Sequence, residues 1–390
     1  MRKTRAAEDS KSHLVAMRRW LHQHPELSFH ECETARYIAN ELERLGIPYE
    51  YGGEGSAVIA RLQTDPAGPG VALRAEMDAL PGHETTGAPY ASVNEGAMHA
   101  CGHGAHIAMV LAAAASLASS PPRGNVVFVF QPAEESGGGA RTAISEGALQ
   151  GVDSIFAGHV THEYETGKIM VAEGVVTSQS DRFVFEITGK GGHGARPHEA
   201  IDAVVIAGFL ITAVQTLVSR EVNPLHPSVV TIGSVHAGSA PNVIAEEAIL
   251  AGSIRTTTEE IREHIHRGLR RMADAIGELH NAEVSVVIDE GYPPVINDPG
   301  ATGLARTAAG LVVGPQGLVK MEHPSMGSED FAYFLQKIPG SFVRFGARRS
   351  GWEPIPLHSP SFDIDEDVLP IGAEYFDRVA RIALEHQGVR

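Results

Sequence analysis

Apolar residues recur at helical spacing near the start of the chain. Within residues 8–45 this spacing predicts two helices, and His24-Pro25-Glu26 interrupts it. Because proline cannot continue a helix, we expect a turn at that point. The apolar positions that carry the pattern are Leu14, Met17, Leu21, Ile38, Leu42 and Leu45.

Strand-like runs then alternate with apolar helical segments. Ala57–Leu62 and Val71–Arg74 are rich in β-formers, and a loop of Gly, Pro and Thr follows at Pro81–Gly96. The apolar run Ile107–Ala118 is about 12 residues long, which suits a buried helix rather than a membrane span of about 20. The β-branched and aromatic run at residues 126–130 is typical of a buried parallel strand. This alternation predicts an α/β architecture.

The pattern changes near residue 180. FVFEITG (183–189) alternates like a half-buried strand, and a long apolar helix is predicted from about 200 to 219. Later elements are strands at Ser228–Val235, Ala248–Arg255 and Glu283–Glu290 and a helix at 259–280. Their β-α-β-β-α-β order resembles a ferredoxin-like unit. We therefore expect a catalytic α/β domain (1–180 and 296–390) interrupted by an inserted α+β domain (181–295).

Composition narrows the classes of function. The 390 residues suffice for two or three domains, and 31 basic against 48 acidic residues give a net charge of −17. Such a charge repels polyanions, so we expect no nucleic-acid partner, and no span long enough for a membrane is predicted. Cys32 and Cys101 are too few for a disulfide framework, and the basic N-terminus lacks the apolar core of a signal peptide. We therefore expect a cytoplasmic protein.

Two clusters contain residues suited to metal chemistry. In MHACGHGAHIAM (98–109), Cys101 and His103 precede a helix, and thiolate and imidazole suit zinc and similar metals. In QPAEESGGGA (131–140), Glu134 and Glu135 follow a buried strand, where α/β sheets place their ligands. One glutamate could ligate a metal while the other accepts a proton from water. A structural Cys-Gly-His and a solvated acidic turn are the competing interpretations.

Two more histidines, His159 and His358, each follow an apolar strand-like run. Taken singly, either residue could be an ordinary hydrogen-bonded histidine. Together with the two clusters they supply enough donors for two ions that share a bridging ligand. The candidate donors are Cys101, His103, Glu135, His159 and His358.

At this point the chain resembles the metal-dependent amidohydrolases. More narrowly, it is similar to the branch of the aminoacylase and carboxypeptidase family that contains hippurate hydrolases and plant auxin-conjugate hydrolases. The similarity spans nearly the whole chain. The strings that carry it are HQHPELSFHE (22–31), LRAEMDALPG (73–82), MHACGHGAH (98–106), QPAEE (131–135), GKGGHGARPH (189–198), PNVIAEEA (241–248), GSIRT (252–256), MGSEDFAYFLQKIPG (326–340) and LHSPSFDIDED (357–367).

This resemblance implies a catalytic domain with a mixed sheet flanked by helices, and an inserted lid and dimerisation domain. It implies two divalent ions per subunit, zinc first, with manganese, cobalt or nickel as alternatives. The implied metal ligands are Cys101, His103, Glu135, His159 and His358. Glu134 would be the general base.

In the inserted domain, the resemblance implies that His193 stabilises the developing oxyanion. Asn242 and Arg255 would hold the substrate carboxylate, a task that suits a guanidinium fork. A turn histidine at position 193 and a plain surface charge at position 255 are the competing interpretations.

The chain departs from the family pattern at three places. Gly104 and Glu76 stand where the family commonly has aspartate, and such changes beside a ligand can alter metal affinity. After His159 the chain reads T-H-E-Y, so that His162 and Glu163 either face the acyl pocket or lie in a solvent-exposed loop.

These observations predict a hydrolase that cleaves the amide of an N-acyl amino acid or a related conjugate. A dipeptidase or carboxypeptidase is the alternative enzyme, and a metal-binding pseudoenzyme is the alternative class. Retention of Glu134 argues against the pseudoenzyme, because binding alone needs no general base. We expect a small-molecule substrate and a homodimer or higher homo-oligomer.

Overall fold

The computed structural model describes residues 2–388, and these divide into two compact units. Of the described residues, the first unit comprises 2–176, Ile296–His323 and 330–388, and the second comprises Thr177–Val295 and Pro324–Glu329. The short segment Pro324–Glu329 was expected in the catalytic domain. It belongs to the second unit because the amide of Ser178 donates hydrogen bonds to the carbonyls of Ser325 and Gly327.

The elements are numbered along the chain. The helices are α1 (Arg2–Gln23), α2 (Cys32–Leu45), α3 (His103–Ser119), α4 (Gly139–Ser145), α5 (Ala203–Thr216), α6 (Glu259–His280), α7 (Pro299–Gly317, kinked at Gly314), α8 (Ala332–Leu335) and α9 (Val368–Gln387). A 3-10 turn at Pro197–Glu199 and a π turn at Leu217–Glu221 complete the helical segments of the described residues.

The strands follow the same numbering. They are β1 (Tyr49–Tyr51), β2 (Val58–Gln63), β3 (Gly70–Glu76), β4 (Leu80–Pro81), β5 (Ala97–Met98), β6 (Asn125–Gln131), β7 (Ser154–Glu165), β8 (Ile169–Met170), β9 (Gly174–Val175), β10 (Gln179–Thr188), β11 (Gly192–His193), β12 (Ser228–Ala237), β13 (Val243–Ile244), β14 (Glu247–Thr256), β15 (Glu283–Glu290), β16 (Ile296–Asn297), β17 (Leu318–Val319) and β18 (Gly340–Arg348).

The first unit contains an eight-stranded sheet of order β1-β2-β6-β3-β7-β18-β8-β17. β6, β3, β7 and β18 are mutually parallel neighbours, whereas β1, β2 and β8 pair antiparallel, so the sheet is mixed. Every residue of β3 and β6 is buried, as expected for central strands covered on both faces. The helix α3 packs against α1, α9 and β3 within this core.

The second unit is a four-stranded antiparallel sheet of order β12-β14-β10-β15, with α5 and α6 packed against it. This is the predicted ferredoxin-like order, and together with the mixed sheet it confirms the expected fold class. Side chains of Asp202 and Thr258 accept hydrogen bonds from first-turn amides and so cap α5 and α6.

The predicted helix from 200 to 219 consists of α5 and the π turn. By length and composition alone Ala203–Glu221 could cross a membrane, but a core helix of a globular unit passes the same test. One side of it contributes Ile206, Leu210 and Val214 to the core of the second unit. The other side leaves Val204 and Phe209 about half exposed.

Candidate active site

The predicted donors of the first unit gather near the carboxyl ends of its parallel strands. Glu134 and Glu135 follow β6, and His159 lies in the second half of β7. Cys101 and His103 stand at the start of α3, where Gly102 has a φ of 94° and its added Cβ would lie 2.4 Å from Val160. Only glycine fits this turn, which places the thiol and the imidazole side by side.

Two groups of three donors share the Cys101 thiol. Cys101, His103 and His159 form one group, and Cys101, Glu135 and His358 form the other, with ligand atoms of each group within 4.8 Å of one another. Cys101 Sγ lies 3.2 Å from His159 Nε2, and His358 Nε2 lies 3.3 Å from Glu135 Oε1. The chain therefore brings all five predicted donors together.

The donor set fits divalent metal ions. His103 Nε2 and Glu135 Oε1 are buried and make no hydrogen bond, although burying an unpaired polar atom is costly. One thiol, three imidazoles and a carboxylate are borderline-soft ligands that suit zinc and neighbouring first-row metals. Divalent ions held by these donors would satisfy the unpaired atoms.

Asp78 orients His103 from behind. Nδ1 of His103 donates to the Asp78 carbonyl oxygen at 2.8 Å and lies 3.3 Å from its carboxylate, so Nε2 faces the other donors. Burial alone would lower the pKa of His103, but Asp78 and the nearby Glu76 outweigh it and raise the pKa to about 10. In the metal-free protein this imidazole is therefore protonated at neutral pH.

The pKa values of the other two buried donors, Cys101 and His159, shift in opposite directions. Burial and the charges of Glu135 and Glu134 raise the pKa of the Cys101 thiol well above its usual range. Burial and the neighbouring His106 lower the pKa of His159, which is therefore neutral.

Glu134 stands beside this donor set. It is 6% exposed and forms a third group of potential ligands with His103 and Glu135. The amide of Asp330 donates to its Oε1 at 3.4 Å. A carboxylate next to the donors, outside the two thiol-sharing groups, has the position that a general base requires.

The departure at Glu76 lies in a buried ionic network. Arg74 is fully buried, pairs with Glu76, and donates to Asp330 at 2.7 Å. Nδ1 of His106 donates to Glu76 at 2.8 Å, and His106 Nε2 accepts from the amide of Val160, the residue after His159. Burial opposes ionisation of Glu76, but Arg74 and His106 hold its pKa well below its usual range. Glu76 therefore supports the backbone beside one donor.

The departure at Gly104 has a packing explanation. A Cβ at this position would lie 3.2 Å from Leu21 Cβ, so α1 packs directly on the first turn of α3. An aspartate here would have to displace that helix or bury its carboxylate against it.

The second unit contains His193, predicted to stabilise the oxyanion, and the two predicted substrate-binding residues, Asn242 and Arg255. His193 (β11) pairs with Val243 (β13), and the Gly194 amide donates to the Asn242 carbonyl at 2.8 Å, which brings His193 and Asn242 close together. Arg255 is partly buried in β14, and its Nη1 donates to Ser328 at 2.8 Å.

The segment after His159 is the end of β7 rather than a loop. His162 is buried: its Nδ1 accepts from the Ile355 amide at 3.0 Å and its ring contacts Phe362. A solvent-exposed position is therefore wrong for His162. Glu163 is exposed and pairs with Arg344.

Sequence reasoning missed Asp78 as a functional residue. Its Oδ2 accepts from the Glu135 amide at 2.9 Å and from Ser28 at 2.7 Å, so it positions two of the donor residues. The available signal was a second carboxylate directly after a buried strand, in LRAEMDALPG.

A helix-flanked mixed sheet with thiol, imidazole and carboxylate donors at its strand ends is the arrangement of a metal-binding α/β protein. A sequence profile of Peptidase family M20/M25/M40 matches residues 72–382, and the chain belongs to this family. The resemblance that the motifs carry is thus confirmed, and the protein is a metal-dependent amidohydrolase.

Individual relatives support this assignment. The N-acetyl-L-cysteine deacetylase of Bacillus subtilis (strain 168) is 40% identical over 370 residues, covering 93% of this chain and 86% of the relative. The IAA-amino acid hydrolase ILR1-like 4 of Arabidopsis thaliana is 38% identical, with 92% and 83% covered. A Bacillus subtilis crystal structure described as a dinuclear metal-binding peptidase of the M20 family matches with a TM-score of 0.82 and 36% identity, covering 97% of this chain and 99% of that chain. Together with the donor groups, this supports a site for two divalent metal ions.

Proposed function

We propose that the protein hydrolyses the amide bond of N-acyl amino acids or closely related conjugates. The observation that carries the proposal is the pair Glu134 and Glu135, of which Glu135 joins a donor group through Cys101 while Glu134 stands beside it. The deacetylase and the auxin-conjugate hydrolase among the relatives act on amides of this class by their names.

In the proposed reaction, Cys101, His103, Glu135, His159 and His358 hold two divalent ions. Bound there, the ions supply Lewis-acid chemistry that polarises the amide carbonyl and makes water more acidic. Glu134 accepts the proton of the attacking water and returns it to the leaving amine. His193 donates to the developing oxyanion, while Asn242 and Arg255 hold the substrate carboxylate.

The finer assignments belong to the same proposal. Zinc is the first candidate metal because thiolate and imidazole donors favour it, with manganese, cobalt and nickel next. The two free cysteines, Cys32 and Cys101, suit a reducing cytoplasm. The exposed apolar residues Val204, Val205 and Phe209 of α5 suit a homodimer formed through the second unit.

A carboxypeptidase is the second candidate, because the Thermostable carboxypeptidase 2 of Saccharolobus solfataricus is 36% identical over 367 residues. Matched substrates separate the two functions. An aminoacylase cleaves N-acetyl and N-benzoyl amino acids, whereas the alternative requires peptides and leaves simple acyl groups uncut.

Glu134→Gln tests the proposed base. The amide is nearly isosteric but cannot accept a proton, so turnover should fall by about 100-fold to 10,000-fold. Metal content, measured by elemental analysis, should stay at the wild-type value of two ions. Loss of metal would mean that the roles of Glu134 and Glu135 are exchanged, and full retained turnover would place the base elsewhere.

A further inference from the structure

Ala133, the residue before the proposed base, has an unusual backbone conformation. Its φ is 49°, in the left-handed region that side-chain-bearing residues avoid, and it is completely buried. A non-glycine residue in this region is strained and persists only where its surroundings enforce it. Ala133, which lies between β6 and Glu134, is therefore held in a backbone conformation that alanine disfavours.

The buried carboxyl group of Glu31 forms a hydrogen bond with the backbone of this turn. Oε1 of Glu31 accepts a hydrogen bond from the Ala133 amide at 2.8 Å, across 102 positions of sequence. On the other side of the turn, the Ala133 carbonyl accepts from the Gly139 amide at 3.2 Å. Both the amide and the carbonyl of Ala133 are thus hydrogen-bonded.

Glu31 does not cap the helix that it precedes. It occupies the N-cap position of α2, yet its side chain does not cap that helix. The Glu26 carboxylate bonds the amides of Glu33 and Thr34 instead. Glu31 is 2% exposed, and its Oε2 is buried with no hydrogen-bond partner. Burying a carboxyl in this way is costly, and its hydrogen bond from the Ala133 amide links it to a distant part of the chain.

We propose that Glu31 is a positioning residue that holds Ala133 in its left-handed conformation and thereby aims the Glu134 carboxylate. The inference rests on the proposed function, because it assumes that Glu134 is the base. Glu31 touches neither substrate nor the metal donors in this account. It acts only through the backbone of the residue before the base.

A double-mutant design tests the inference. Glu31→Ala removes the acceptor, and a misaimed base should lower kcat by up to about 100-fold while KM and the bound metal change little. Glu31→Gln keeps an acceptor oxygen and should retain most of the turnover. Glu33→Ala is the matched control, because Glu33 is an exposed glutamate of the same helix.

Ala133→Gly supplies the discriminating step. Glycine adopts a positive φ without steric cost, so it should restore a large part of the turnover lost in Glu31→Ala. A crystal structure of metal-free Glu31→Ala should show residue 133 outside the left-handed region or a displaced Glu134. Unchanged kcat in Glu31→Ala, or losses in the double variant equal to the product of the single losses, would overturn the inference.

The proposed function fails by a separate result. If Glu134→Gln retains its turnover, Glu134 is not the base. If Glu134→Gln is inactive but Glu31→Ala is fully active, the base assignment stands and the role of Glu31 is refuted.

Discussion

Binding of divalent metal to the metal-free protein should release two protons, one from the Cys101 thiol and one from the His103 imidazole. Both groups hold a proton at neutral pH, because the pKa of the thiol lies well above its usual range and that of His103 is about 10. Both must lose it to ligate a metal. His159 is the third member of their donor group, and its lowered pKa means that it contributes no proton.

The magnitude follows from linkage. For each proton displaced, metal binding becomes more favourable by about 1.4 kcal/mol for each unit by which the pH rises, as long as the pH stays below the pKa of the group. Two protons give about 2.7 kcal/mol, so the association constant should rise about 100-fold for each pH unit between roughly pH 6.5 and 8. The sign is fixed: lowering the pH weakens binding, because protons compete for the same lone pairs.

Isothermal titration calorimetry measures this proton release directly, by comparing buffers that differ in ionisation enthalpy. Cys101→Ala should release one proton fewer than the wild type, and its affinity should change less steeply with pH. Cys32→Ala, at the other free cysteine, should behave like the wild type. The same proton count in Cys101→Ala and the wild type would refute the assignment of a protonated thiol to the metal-free site.

Three further predictions concern packing, substrate binding and the second unit. Gly104→Asp should lower the melting temperature by overpacking Leu21, at a cost of about 1–3 kcal/mol, and an unchanged value would contradict the packing argument. Arg255→Ala should chiefly raise KM. Combining this variant with a substrate amidated at its carboxylate should cost little more than either change alone, and strictly additive losses would exclude the contact. Asp181 pairs with Arg262 and His266, and although burial opposes ionisation, these partners lower its pKa to about 2. The second unit should therefore lose about 2 kcal/mol of local stability as pH falls from about 4 to 2, which hydrogen exchange of the β10 amides measures. Asp181→Asn should abolish this loss, and the same pH dependence in the variant and the wild type would contradict the prediction.

Local patterns predicted the elements well because they depend on near neighbours. The period-two run in β10 and the long apolar helix predicted from about 200 to 219 indicated the second unit, since both patterns depend on residues close together in the sequence. The strand ending at Arg74 was predicted too short. A charged residue usually marks a strand's exposed end, but Arg74 is fully buried by its contacts with Glu76 and Asp330, the second of them 256 positions away.

The sequence was sufficient to predict which residues supply metal donors, but not the backbone geometry that positions them. The side chains of Cys101, His103 and the Glu134-Glu135 pair are of the types that bind metal ions, and the ends of strands are where α/β sheets place their ligand sites. The turn at Ala133 could not be predicted, because alanine gives no sign of a positive φ. The amide of Ala133 donates to the carboxyl of Glu31, 102 positions away, and such distant contacts leave no periodic trace in the sequence.

Buried negative charge accounts for the protonation of the metal-free site. Five carboxyl groups lie in or beside it: Glu31, Glu76, Asp78, Glu134 and Glu135. Arg74 pairs with Glu76 and offsets part of this charge, and the neighbouring carboxylates keep His103 protonated. Burial likewise raises the pKa of Glu31 to about 7, so that this carboxyl carries a partial charge at neutral pH. Protons thus occupy the site where positive charge is needed, and binding of divalent ions replaces them, which is why metal affinity and pH must be coupled.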